Sequence, residues 1–140
     1  VGVPGGLPEA QISAAVAASR QAAAIGDLQS ANLQSAASGP GAELLGVHLE
    51  GPYLSPARRG AHSLSWLRLP EPAETERLLA LADGLLRIVT VAPELPGAEA
   101  LIRRLDAAGV TVSIGHTDCD YEGARAAIAL GIRHATHCFN

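Results

Sequence analysis

Methionine is absent from the 140 residues, and aromatic side chains make up only 3% of them. Two cysteines are too few for a disulfide framework, which favours a reducing, cytoplasmic setting. Ten Lys and Arg stand against fourteen Asp and Glu, so the basic surface that nucleic-acid binding requires is lacking. No apolar run reaches the roughly 18 residues that a membrane span needs. With 48% hydrophobic residues and a net charge of -4, the composition indicates one soluble globular domain rather than a disordered chain.

Hydrophobic periodicity and Gly or Pro breakers predict strands and helices in alternation. Strands are predicted at 44–49, 85–92, 110–115 and 132–138. Helices are predicted at 8–25, 71–83, 97–108 and 120–130. The strands are mostly continuous apolar runs at a short, regular spacing, which is typical of parallel βα units whose sheet is covered on its faces.

Two architectures fit this alternation, a doubly wound open sheet and part of a (β/α)8 barrel. Polar residues stand at or just past the C-terminal ends of the predicted strands: Glu50, Glu94, His116 and His137. A barrel takes its functional residues from several strand ends, whereas an open sheet binds its ligand at one switch point. We therefore predict an α/β fold that forms part of a (β/α)8 TIM-like barrel.

A closed barrel needs roughly 250 residues. The chain lacks methionine, shows no signal-peptide pattern and stops at Asn140 directly after an apolar run. We therefore expect residues 1–140 to be an incomplete barrel domain of about four βα units, with N- and C-terminal parts that belong to a longer chain.

One carboxylate and two imidazoles come from three different strand ends, those of Glu50, His116 and His137. This donor set suits a divalent ion such as zinc, iron or manganese with an open position for water. Water bound there would ionise near neutral pH and attack a carbonyl. The alternative is that these are three unrelated polar residues, and their spacing alone leaves both interpretations open.

Four motifs resemble those of the N-acetylglucosamine-6-phosphate deacetylases. They are GVHLEGP at 46–52 with RGAH at 59–62, VAPE at 91–94, GHT at 115–117 with YEGA at 121–124, and THCFN at 136–140. Their order and spacing fit the family from about residue 43 to residue 140. The resemblance implies a distorted (β/α)8 barrel of the amidohydrolase superfamily. It also implies hydrolysis of N-acetylglucosamine 6-phosphate to glucosamine 6-phosphate and acetate.

The resemblance further implies roles for six residues. The metal ligands would be Glu50, His116 and His137, and the metal would be divalent, with zinc or iron favoured. The substrate contacts would be Ala61 and His62, together with Asn140 near the phosphate. The family's His-x-His motif, its catalytic Asp and its phosphate-holding Arg and His have no counterpart in residues 1–140. We therefore expect the isolated chain to be inactive, and the resemblance implies a cytoplasmic homodimer for the full-length protein.

Other polar residues receive structural interpretations. We expect His48 to be a packed, hydrogen-bonded residue one layer below the predicted metal site, and His134 to face the outer helices. Glu94 is expected to accept backbone N–H groups at a strand end. Asp118 and Asp120 are expected to cap the helix that follows them.

Cys138 is expected to be a buried small hydrophobic residue, rather than a contact to the metal. A different amidohydrolase activity, on another N-acyl sugar or a cyclic amide, is an alternative enzyme interpretation. A non-catalytic metal-binding or oligomer-forming remnant is the alternative from another class.

Overall fold

A computed structural model describes residues 2–4, 13, 14, 16, 17 and 45–138. Within them lies a five-stranded sheet of β1 (Gly2–Pro4), β2 (Val47–Glu50), β3 (Leu86–Val91), β4 (Thr111–Ile114) and β5 (His134–Ala135). The helices between these strands are α1 (Pro72–Ala82), α2 (Ala98–Ala107) and α3 (Tyr121–Leu130). Two short 3-10 helices, Pro56–Arg58 and Leu64–Trp66, follow β2. No helix in the described part of the chain is both long and apolar enough to cross a membrane.

The order of the strands separates the two predicted architectures. The five described strands pair in sequence order, β1-β2-β3-β4-β5, and every pair is parallel. An open doubly wound sheet reverses its strand order at a switch point. Parallel strands in unbroken sequence order, joined by helices, are the arrangement of a (β/α)8 barrel.

The predicted helices agree closely with the structure, and the strands agree less well. Each of the three helices after residue 70 begins and ends within one residue of its predicted bounds. Most of the predicted helix 8–25 lies outside the described residues. The four of its residues that are described, 13, 14, 16 and 17, are helical. Strand β1 was not predicted. The strand predicted at 132–138 is reduced to β5, because the backbone leaves the strand before His137, whose φ is 56°.

The two faces of the sheet differ in chemistry. Leu49, Val89 and Val112 share a buried core with apolar residues of the helices, among them Leu78, Leu101, Ile102 and Leu105. Because side chains alternate across a strand, the neighbouring positions face the opposite side, which would be the barrel interior. Apart from Ile88, those positions hold polar residues, including the fully buried Thr90 and Ser113. The sheet is therefore apolar towards the helices and polar within.

The structure contradicts the prediction that His134 faces the outer helices. Its Nδ1 lies 2.9 Å from the Oγ of Ser113, on the polar inner face. The prediction assumed that His134 and His137 belong to one strand, on which residues three apart face opposite sides. That assumption fails because β5 ends at Ala135.

The segment after β2 folds back over the C-terminal edge of the sheet. The backbone N–H of Ala92 donates to the Tyr53 carbonyl at 2.9 Å, and that of Ser55 donates to the His116 carbonyl at 2.9 Å. Beneath this segment, the Tyr53 hydroxyl donates to Glu74 of α1 at 2.8 Å. These contacts place residues 58–62 directly above the strand ends.

Candidate active site

The three predicted metal ligands meet at the C-terminal edge of the sheet. Glu50 is the last residue of β2, and His116 and His137 each follow the end of a strand by two residues. The Oε1 of Glu50 lies 2.7 Å from Nε2 of His116 and 2.8 Å from Nε2 of His137. One ligand atom of each residue lies within 4.8 Å of those of the other two. Three residues far apart in the sequence thus present one oxygen and two nitrogens to a common point.

A backbone carbonyl fixes the orientation of His116. The Nδ1 of His116 lies 2.9 Å from the carbonyl oxygen of Arg58. Because a carbonyl can only accept a hydrogen bond, Nδ1 carries the hydrogen and donates. With Nδ1 held in this way, Nε2 is the ring nitrogen that faces Glu50 and the one that a metal would bind. A hydrogen bond from the outer ring nitrogen to a backbone carbonyl is typical of metal-binding histidines.

Both histidines adopt a backbone conformation that non-glycine residues rarely use. Their φ angles are +48° at His116 and +56° at His137, and among the described non-glycine residues only Asp83 shares a positive φ. Such a conformation costs about 1–3 kcal/mol and persists only where the surroundings hold it in place. Two strained residues at the same cluster are therefore typical of a functional site.

The ionisation of the cluster suits a cation. Burial raises the pKa of Glu50, but the hydrogen bonds and charges of His116 and His137 outweigh burial and hold that pKa below its ordinary value. Glu50 is therefore an anion near neutral pH, as a metal-ligating carboxylate must be. One carboxylate oxygen and two imidazole nitrogens are donors that zinc and iron accept. The donor set present in the chain fits a divalent metal.

A cavity of about 890 Å³ opens over this cluster. Ala61, His62 and Trp66 line it together with the three residues of the cluster. The Nε2 of His62 is 3.9 Å from the Oε1 of Glu50, so a third imidazole borders the same oxygen. The structure thus brings Ala61 and His62, the predicted substrate contacts, to the wall of the cavity. Asn140, the third predicted contact, lies outside the described residues.

His62 has an unused hydrogen-bonding atom. Its side chain is buried, and its Nδ1 is the one buried side-chain nitrogen or oxygen among the described residues without a hydrogen-bond partner. A buried polar atom without a partner is rare in folded proteins, and it is often accounted for by a ligand or an unseen water. Burial also lowers the pKa of His62, and the neighbouring Glu50 carboxylate opposes this only in part. His62 is therefore a neutral imidazole with one free nitrogen beside the cavity.

Glu94 supports the site without joining it. One carboxylate oxygen accepts the backbone N–H of Asp118 at 2.8 Å, and the other accepts the hydroxyl of Thr117. The predicted structural role of Glu94 is confirmed. Asp118 does not cap α3, because it stands two residues before the cap position; it pairs with Arg58 at 2.7 Å. Asp120 is the cap, and its carboxylate accepts the N–H of Gly123 at 2.8 Å.

The residues around the cluster agree with the predictions only in part. His48 donates to or accepts from the Thr90 hydroxyl at 2.8 Å, one layer below Glu50, as predicted. The expectation that Cys138 is buried is wrong: it is exposed, because it follows β5 in a turn rather than within a strand. Sequence reasoning missed the hydroxyl groups of Thr90, Ser113 and Thr136, although two of them are polar interruptions of otherwise apolar strands.

Comparison with known proteins gives a consistent result. The chain is 45% identical over 100 residues to the N-acetylglucosamine-6-phosphate deacetylase of Vibrio furnissii, which covers 71% of this chain and 25% of that protein. It is 42% identical over 102 residues to the N-acetylgalactosamine-6-phosphate deacetylase of Escherichia coli O157:H7, covering 73% of this chain and 27% of that protein. The chain spans about a quarter of the length of the curated relatives it matches. No protein-family model matches it.

A solved structure of a related protein is similar to this chain. It is that of the N-acetyl-D-glucosamine-6-phosphate deacetylase of Mycobacterium smegmatis, as an aspartate-to-alanine mutant in complex with N-acetyl-D-glucosamine-6-phosphate. The TM-score is 0.74 at 37% identity, with 100% of this chain and 32% of that chain covered. The predicted fold class, part of a TIM-like barrel of the amidohydrolase type, is thereby confirmed. The chain is homologous to the N-acetylglucosamine-6-phosphate deacetylases and corresponds to a part of their barrel.

Proposed function

We propose that the protein containing this chain removes the N-acetyl group from N-acetylglucosamine 6-phosphate, giving glucosamine 6-phosphate and acetate. The observation that carries the proposal is the convergence of Glu50, His116 and His137 at the mouth of a large cavity. A cavity of about 890 Å³ is large enough for a phosphorylated amino sugar. Homology to deacetylases of this substrate class supports the choice of reaction.

We further propose that Glu50, His116 and His137 hold one divalent cation, with zinc or iron favoured. When bound, such a cation polarises a carbonyl oxygen and activates a water molecule. The residues of this chain prepare the site for it. Arg58 fixes the ring of His116 through its carbonyl group, and the low pKa of Glu50 keeps the carboxylate charged near neutral pH.

The other residues of the cavity would bind and orient the sugar. His62 is neutral and has its Nδ1 free, so it can accept a hydrogen bond from a sugar hydroxyl or, as the other tautomer, donate one to the acetamide oxygen. Ala61, whose side chain is small and has no polar atom, leaves space for the sugar beside His62. Asn140 would donate its amide N–H groups to oxygens near the phosphate. The proton transfer to the leaving amine requires an acid/base, which we assign to an Asp outside residues 1–140.

From the same homology we also propose three properties of the whole protein. Residues 1–140 would form about four βα units of a larger catalytic barrel. The protein would act as a homodimer. It would work in the cytoplasm, where a charged sugar phosphate is retained and where free cysteines such as Cys119 and Cys138 stay reduced.

A second sugar phosphate, N-acetylgalactosamine 6-phosphate, is also a candidate substrate. A relative that is 42% identical over the same region is named for N-acetylgalactosamine 6-phosphate, which differs from the first substrate only at one sugar hydroxyl. The proposed metal ligands act on the acetamide group, which both sugars share. This site would therefore accept either sugar, and the choice between them would depend on contacts to the hydroxyl that differs.

The test uses the complete protein that contains this chain. Purified protein is loaded with zinc or iron, bound metal is measured by mass spectrometry, and acetate release is measured with both sugar phosphates. We expect turnover of N-acetylglucosamine 6-phosphate, and loss of both metal and turnover in Glu50→Gln. Glu122→Gln, on the exposed face of α3, is the control and should retain both. Turnover of neither sugar by the metal-loaded protein, or full activity of Glu50→Gln, would contradict the proposal.

A further inference from the structure

A continuous row of hydrogen bonds crosses the inner face of the sheet beneath the candidate metal centre. At one end, the Thr90 hydroxyl lies 2.8 Å from Nε2 of His48. Thr136 then joins Thr90 at 2.8 Å and Ser113 at 2.7 Å, in each case through the side-chain oxygens. At the other end, the Ser113 hydroxyl lies 2.9 Å from Nδ1 of His134. The hydroxyl triad, Thr90, Ser113 and Thr136, thus links β2, β3, β4 and the end of β5.

The hydrogen count of this row constrains its donors. Four hydrogen bonds are formed, but the three hydroxyl groups of the triad supply only three hydrogens. At least one of the two histidines, His48 or His134, must therefore donate through the ring nitrogen that faces the row. The row is fully bonded in that arrangement, and Thr90 and Ser113 are buried from solvent. The buried hydroxyl groups of Thr90 and Ser113 each take part in two of these bonds, so the loss of the Thr136 hydroxyl would leave both of them one bond short.

Thr136 is the member of the triad that is fixed from several sides. Its backbone N–H donates to the carbonyl of Ile114 at 2.9 Å, beyond the last residue of β5. Its side chain packs so closely on Gly115 that a Cβ at that position would lie 2.8 Å from the Cβ of Thr136. The next residue is His137, with its left-handed backbone. Thr136 is therefore the last anchored residue before a predicted metal ligand.

His137 depends on its backbone more than His116 does. The carbonyl of Arg58 holds the outer ring nitrogen of His116. For His137, no hydrogen bond to Nδ1 is found within the described part of the chain, and its side chain is about half exposed. Apart from the contact of Nε2 with Glu50 and an edge contact with the ring of His116, its direction depends on the strained backbone, and β5, with two residues, is too short to hold that backbone alone.

We propose that Thr136 is a positioning residue, whose hydroxyl group, bound to Thr90 and Ser113, holds His137 in its left-handed conformation and directs Nε2 towards Glu50. Removing the hydroxyl would free the end of β5 and let the His137 backbone relax. The proposal rests on the proposed function in so far as His137 is a metal ligand. The fixed conformation of His137 is a property of the protein before any metal binds.

The test compares Thr136→Val, which removes the hydroxyl and keeps the shape, with Thr136→Ser, which keeps the hydroxyl. Affinity of the full-length protein for zinc is measured by competition with a chromophoric chelator, and the visible spectrum is recorded after loading with cobalt. We expect Thr136→Val to bind zinc about 10- to 100-fold more weakly, the usual effect of losing a group that orients a ligand, and to change the cobalt spectrum. Thr136→Ser should stay close to wild type in both measurements.

Thr75→Val is the matched control. Thr75 is buried on α1, and its hydroxyl donates to the Glu71 carbonyl at 3.2 Å, remote from the strand ends. It should lower the melting temperature without a change in zinc affinity or in the cobalt spectrum. Unchanged zinc affinity in Thr136→Val would overturn the inference, as would equal losses of metal affinity in Thr136→Ser and Thr136→Val.

Crystal structures of the metal-free wild type and of Thr136→Val separate this inference from the proposed function. A wild type that binds no zinc would contradict the proposed function alone. In that case the positioning role stands if His137 leaves the left-handed region only in Thr136→Val, and it fails if His137 is unchanged.

Discussion

The carboxylate of Glu94 accepts the backbone N–H of Asp118 across 2.8 Å, and so ties the segment after β3 to the loop that carries His116. Its second oxygen accepts the hydroxyl of Thr117 in the same loop. The strained backbone of His116 thus lies between β4 and a loop that Glu94, three residues after the end of β3, holds in place. A loop held by a charged acceptor is expected to be sensitive to the loss of that charge.

Glu94→Gln should therefore weaken the site through His116. The amide keeps one acceptor oxygen for the Asp118 N–H and can meet the Thr117 hydroxyl through its NH2 group, but neither contact is then made to a charged acceptor, and charge-assisted hydrogen bonds are the stronger ones. We expect a lower melting temperature and a zinc affinity reduced by about tenfold, as for other groups that support a ligand. Glu99→Gln, an exposed carboxylate of α2 paired with Arg103, is the control and should change neither. Wild-type zinc affinity in Glu94→Gln would show that the loop needs no charged acceptor.

The hydrogen bond between Tyr53 and Glu74, beneath the segment after β2, should affect stability rather than metal binding. Tyr53 is fully buried and donates to Glu74, whose other oxygen is paired with Arg68 at 3.2 Å. Tyr53→Phe leaves a buried carboxylate oxygen without that partner, which should lower the free energy of unfolding by about 1–3 kcal/mol. Tyr121→Phe is the control, because Tyr121 is exposed and its ring contact with Arg125 is retained by phenylalanine. Denaturant unfolding of both variants makes the comparison.

The pH dependence of this contact follows from the pKa of Tyr53. Burial and the neighbouring Glu74 carboxylate raise that pKa above its ordinary value. Since the folded-state pKa is the higher one, the stabilisation is complete below the unfolded-state pKa of about 10 and is lost only as the pH rises beyond it. The difference between wild type and Tyr53→Phe should thus be constant from pH 6 to pH 9. A difference that changes across that range would contradict this assignment.

The sequence was informative about residues whose role depends on how close they stand to the end of a strand or helix. The three predicted ligands follow strand ends, and the helices were located by their apolar spacing and by breakers such as Gly131. It was less informative where the outcome depends on a dihedral angle. Period-two alternation assumes an extended backbone, and His137 at φ +56° ends that alternation. The predicted facing of His134 and the predicted length of β5 were therefore both wrong.

The hydroxyl triad could not be foreseen for a related reason. Thr90 and Ser113 are register partners on adjacent strands, and that register is set by pairing between segments far apart in the sequence. Threonine is also common in strands for its branched shape, so a single threonine gives no sign of a hydrogen-bonded role. The ion pair of Asp118 with Arg58, which belongs to a distant loop, has the same origin.

Gly115 should tolerate no side chain. A Cβ there would lie 2.8 Å from the Cβ of Thr136 and 2.9 Å from the Cγ2 of Thr90, closer than side-chain atoms approach one another. We expect Gly115→Ala to lower the free energy of unfolding by about 1–3 kcal/mol through overpacking, and to weaken zinc binding by displacing Thr136. Gly84→Ala, where a Cβ would meet nothing within 4 Å, is the comparison and should leave zinc affinity unchanged. If Gly115→Ala binds zinc as the wild type does, Thr136 can move without disturbing the site.

Arg58 offers a separation of side chain from backbone. Its carbonyl group orients His116, whereas its guanidinium pairs with Asp118 at the surface, where both side chains are more than half exposed. Exposed ion pairs contribute about 0.2–1 kcal/mol, so Arg58→Ala should reduce stability by no more than that. Zinc affinity should stay within about twofold of wild type, because the alanine retains the carbonyl group that holds Nδ1. A large loss of zinc affinity would mean that the ion pair, and not the main chain alone, determines where that carbonyl lies.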